Sequence, residues 1–138
     1  MKTIISFLLL FVFGMGTIFA NDFREIKQII LKKDEQTKIL VKYGTSEKLF
    51  KFRWTLYANG GLVIHRSYDR DVAQNILYLN HKNQSFRVPL KIWGIVNYNG
   101  PHILVKFKEF KHDTKEAVFE LLLSDDKIQV KLKYLNEA

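Results

Sequence analysis

The chain predicts an all-β fold, an antiparallel meander of about nine strands forming a sandwich or a partly open barrel. Three observations carry that prediction. Apolar and polar residues alternate with period two in stretch after stretch, which places the apolar side chains on one face of an extended strand. Polar turns separate the stretches at intervals too short for the crossovers that parallel strands need. The 138 residues include 11 Phe, 6 Tyr and 2 Trp, side chains that pack well on a pleated surface.

Residues 1–20 read as a secretory signal peptide, with Lys2 as the charged start, Ile4 to Phe13 as the apolar core, and Gly14, Gly16 and Ala20 as the small-residue end. The apolar run is shorter than the roughly 20 residues that a transmembrane helix needs. Cleavage after Ala20 leaves 21–138 as a single β domain. Ile18 is bulky for the position two residues before Ala20, so a shifted boundary or a retained anchor is the competing reading. The chain has no cysteine, so an exported domain of this kind is held by packing and not by disulfides.

Asp22 to Tyr43 carries two periods. Ile29 with Leu31, then Ile39 with Val41 and Tyr43, fit two strands around the turn Lys33 to Thr37, whereas Phe23, Ile26, Ile29 and Ile30 also fit a short N-terminal helix over Asp22 to Ile30. Strands are the preferred reading. Leu49 to Tyr68 is a β-hairpin around Asn59, Gly60 and Gly61, residues that tolerate the positive φ of tight turns. In its first arm Phe50, Phe52, Trp54 and Leu56 point inward, and Lys51, Arg53, Thr55 and Tyr57 outward.

Asn75 to Asn80 is apolar on both sides and reads as a central strand. In Ser85 to Ile92, Phe86, Val88, Leu90 and Ile92 point inward, while Pro89, lacking an amide proton, requires an edge or a bulge. Trp93 to Pro101 is a loop with Trp93 and Tyr98 available for contact. His102 to Glu109 and Glu116 to Leu123 alternate again. The last strand sets Ile128, Val130, Leu132 and Tyr134 against Lys127, Gln129, Lys131 and Lys133. The predicted core is Phe50, Phe52, Trp54, Leu56, Phe86, Val88, Val105, Phe107, Phe119, Leu121, Val130 and Leu132.

No catalytic constellation emerges. There is no cysteine or Gly-x-Ser-x-Gly elbow, and Gly60-Gly61 lies between strands, not between a strand and a phosphate-binding helix. His65, His81, His102 and His112 have no zinc spacing, and the pairs Asp69/Asp71 and Asp125/Asp126 fit turns. No metal or cofactor is expected.

The broad feature is charge. The net charge is +8, and basic residues alternate with aromatics on several strands. The candidate binding residues are Lys51, Arg53, Lys106, Lys108, Lys131 and Lys133, with Trp93 and Tyr98 in the loop. They form one stripe if their strands are neighbours, and Glu116 and Glu120 would neutralise part of it. The function expected is that of a non-catalytic binding or accessory protein of the bacterial envelope, periplasmic or secreted. Its partner is an anionic lipid, a glycan or an acidic envelope protein, with no nucleic acid expected. The alternatives are an assembly factor pairing through an exposed sheet edge and, third, a small hydrolase. Mass spectrometry of the protein from the envelope fraction should give a mature start near Asn21; an intact Met1 on a membrane-bound species refutes cleavage.

Overall fold

The computed structural model describes residues 25–90, 101–124 and 130–135. They form nine strands: β1 (Glu25–Lys32), β2 (Thr37–Tyr43), β3 (Ser46–Ala58), β4 (Gly61–Tyr68), β5 (Asp71–Tyr78), β6 (Ser85–Pro89), β7 (His102–Lys111), β8 (Glu116–Ser124) and β9 (Lys131–Tyr134). Every pairing is antiparallel, in a four-stranded sheet ordered β1-β8-β7-β6 and a five-stranded sheet ordered β5-β4-β3-β2-β9. The two sheets face each other as a sandwich and neither closes into a barrel. Residues 1–20, Ile92, Trp93, Tyr98 and Ile128 lie outside the described residues. No helix among the described residues is long and apolar enough to cross a membrane.

The N-terminal stretch takes the strand reading, because β1 pairs with β8 along its whole length and buries Ile29 and Leu31. Asn59 and Gly60 both have positive φ, 54° and 78°, the turn that matches the twist of a two-residue hairpin. Pro89 sits on β6 at the edge of the four-stranded sheet, where its missing amide leaves no ladder bond unmade.

The core is aromatic and joins both sheets. Phe52 of β3 meets Phe119 of β8 edge-on at 5.3 Å and Phe86 of β6 at 5.9 Å, while Phe50 stacks on Phe52 at 5.5 Å. Phe50, Phe52, Phe107 and Phe119 are wholly buried. Of the predicted core, Leu132 is partly buried against this cluster and Leu56 is 52% exposed; the other ten side chains are buried.

Leu56 is turned out by a bulge. Trp54 pairs with Ile64 but Leu56 pairs with Val63, so Thr55 is an extra residue and the two faces exchange after it. Tyr57, expected outward, therefore turns toward the core. A second bulge in β7, between Phe107 and Glu109, turns Phe110 toward the same place. Two further expectations fail. The apolar run at Asn75 to Asn80 falls largely in β5, an edge strand bonded only to β4, and one of its faces is left uncovered: Leu77 is buried, whereas Ile76 is 47% exposed. The last strand pairs with β2 in the opposite sheet, not with its chain neighbour β8.

Trp54→Ala should cost about 3 to 5 kcal/mol in urea unfolding, because it removes a buried ring, whereas Leu56→Ala should cost below about 1 kcal/mol. Equal losses would refute the exchange of faces at Thr55.

Candidate functional site

Register decides which basic residues share a surface. On the outer face of the five-stranded sheet, Lys38 of β2 lies directly opposite Lys51 of β3, and Lys42 lies directly opposite Lys131 of β9. Lys133 lies opposite Leu40, and Arg53 opposite His65. Lys51, Arg53, Lys131 and Lys133 are thus brought together, joined by Lys38 and Lys42, which the alternation of β2 was not used to place. Glu47 is the one carboxylate that register puts on this face among the described strand residues, and it pairs with Lys42 at 3.4 Å.

Lys106 and Lys108 belong elsewhere. Lys106 lies in the four-stranded sheet directly opposite Glu120, and Lys108 is the extra residue at the β7 bulge. On that face Glu116 is flanked by Lys32 and Lys111, so charges alternate in sign and offset one another. The predicted stripe is split between opposite sides of the sandwich, because β3 and β7 belong to different sheets, and the crossing of β9 puts Lys131 and Lys133 on the side of β3.

The other half of the basic face is apolar. Leu56, Val63 and Ile76 form one cross-strand row, with Tyr78 beyond it and Val72 at the far end of β5. Val72 is 79% exposed. Gly61 supports this arrangement: a Cβ there would stand 3.0 Å from the Tyr78 ring and 3.1 Å from the Ile76 side chain, so both lie close over the β4 backbone. The sequence hides this patch because strict alternation points Leu56 inward and the two-sided apolar run at Asn75 to Asn80 points to a central strand.

Two polar groups turned into the core, Tyr68 and Arg66, have structural partners, whereas the buried Tyr43 hydroxyl has no hydrogen-bond partner among the described residues. Burial pushes the Tyr68 phenol far above its usual value, so it stays neutral and donates to the Leu90 carbonyl at 3.1 Å. Arg66 points between the sheets, where it donates to the Asn75 side chain at 2.7 Å and stacks over Phe86. Its guanidinium is pushed below its usual value by burial. Among the described residues no three His, Asp or Glu side chains gather to hold a metal ion.

Like charges directly opposite one another on a sheet are destabilising. Lys51→Glu should therefore raise stability by up to about 1 kcal/mol in urea unfolding at low salt, by setting a carboxylate opposite Lys38, and added salt should erase the gain. A loss of stability would show that Lys38 and Lys51 do not share the face. No protein-family model matches the chain, and neither a curated protein nor a solved structure shows significant similarity to it.

Proposed function

We propose that this is an exported, non-catalytic protein that docks on an anionic, amphipathic surface, an anionic lipid bilayer, through the outer face of its five-stranded sheet. The observation that carries the reading is the placement of Lys38 opposite Lys51 and of Lys42 opposite Lys131. Such pairs reduce folding stability, and a polyanionic surface turns the same arrangement into attraction. The neighbouring row of Leu56, Val63 and Ile76 gives the face an apolar half suited to the boundary between headgroups and acyl chains.

A second reading has its own observation. β5 is an eight-residue edge with no lysine, proline or bulge, the devices that usually protect an edge from pairing with another strand. Pairing along β5 would make the protein an assembly factor, and it predicts concentration-dependent oligomers without lipid.

The test is vesicle co-sedimentation. Binding to vesicles containing phosphatidylserine or phosphatidylglycerol should fall steeply between low and physiological salt, since exposed charges are screened over about 8 Å at physiological ionic strength. Lys51→Glu and Lys131→Glu should each weaken binding by about 1 kcal/mol or more. Ile76→Ser should weaken it without changing its salt dependence. Equal binding to zwitterionic vesicles, or none at low salt, overturns the reading.

A further inference from the structure

The two bulges act on facing sheets at the same end of the sandwich. Thr55 rotates Tyr57 inward from β3, and Lys108 rotates Phe110 inward from β7. Their rings stack at 4.0 Å with 15° between planes. Trp54 meets Phe110 edge-on at 5.6 Å, and His112 meets it edge-on at 5.1 Å. These rings floor an open cavity of about 320 Å³, whose lining also includes Lys33 from the β1–β2 turn and Lys115 from the β7–β8 turn.

The charges around this floor have one sign. Among the described residues no carboxylate lines the cavity. Two acids of the same turns are engaged with backbone: Glu35 accepts from the Lys32 amide at 3.2 Å, and Asp113 accepts from the Thr114 amide at 2.9 Å, while Asp34 donates its amide to the Trp54 carbonyl. Lys33 and Lys115 are exposed and have no ion-pair partner among the described residues. Lys115 also holds φ at +56°, a left-handed conformation uncommon for a residue with a long side chain, at the rim of the cavity. Bulges of this kind often re-aim side chains next to binding sites.

We propose that this end of the sandwich binds a small aromatic carboxylate, at a site whose lining shares Leu56 with the outer sheet face but none of that face's lysines. An apolar ring rests against Tyr57, Phe110 and Trp54, and the carboxylate accepts hydrogen bonds from Lys33, Lys115 and the His112 ring N–H. The volume lies at the low end for ligand pockets, which suits a one- or two-ring compound. Ring stacking supplies contact, and the ammonium groups select the anion.

The probe is 2-naphthoate, titrated into the full mature chain with 2-naphthamide as its neutral isostere, followed by the NMR signals of Tyr57, Phe110 and Trp54. Saturable shifts at these rings are expected, with the amide about tenfold weaker. Lys115→Gly should weaken naphthoate by about tenfold while the melting temperature holds or rises, because glycine adopts the left-handed conformation freely. Lys33→Ala should act in the same direction, and Lys51→Glu should leave naphthoate binding unchanged. Equal affinity for acid and amide, full affinity in Lys115→Gly, or loss of binding in Lys51→Glu each overturns the proposal, as does the absence of saturable shifts. Failure of the vesicle assay alone leaves it standing.

Discussion

Trp54 is the point on which the sandwich depends. Its indole N–H donates to the Leu31 carbonyl at 2.8 Å, which ties β3 of one sheet to β1 of the other. Its own carbonyl accepts the Asp34 amide at 2.9 Å, which fixes the turn carrying the chain between them. Its ring packs on Phe110 of β7, and the β3 bulge begins at the next residue. One buried residue thus joins three strands and a crossing turn, with its indole N–H satisfied, as a buried indole requires. The Phe52, Phe86 and Phe119 cluster fills the space between the sheets; Trp54 sets how they are connected.

The bulges give the molecule its two surfaces. Without Thr55 as an extra residue, Tyr57 would point to solvent and Leu56 to the core. With it, Leu56 joins Val63 and Ile76 outside, and Tyr57 joins Phe110 at the open end. A one-residue insertion exchanges every later side chain between faces, so a small local irregularity has a large effect on chemistry.

The two outer faces treat charge differently. The four-stranded sheet sets Glu116 and Glu120 among Lys32, Lys106 and Lys111, an arrangement that contributes to stability. The five-stranded sheet instead sets lysines opposite lysines. Edge protection explains Lys131 and Lys133 on β9. It does not explain Lys51 and Arg53 on β3, which is hydrogen-bonded on both sides, and this excess on an interior strand is what favours a recognition role.

Sequence by itself determined the all-β class, the strand positions, the Asn59-Gly60 hairpin, the edge position of Pro89 and most of the core, because period-two alternation and turn residues act locally. The basic character, and the outward direction of Lys51, Arg53, Lys131 and Lys133 within their own strands, were legible in the same way. Tertiary structure alone decided the rest. Which strands are neighbours depends on chain crossings that leave no local signal, so Lys106 and Lys108 were grouped with residues on the opposite sheet. The bulge at Thr55 adjoins Trp54, which meets Leu31 and Phe110, and no residue type at that position announces it. The aromatic cavity, the exposed row of Leu56, Val63 and Ile76, and the opposed lysines all exist only once register is fixed, because each is a relation between strands and not a property of any one of them.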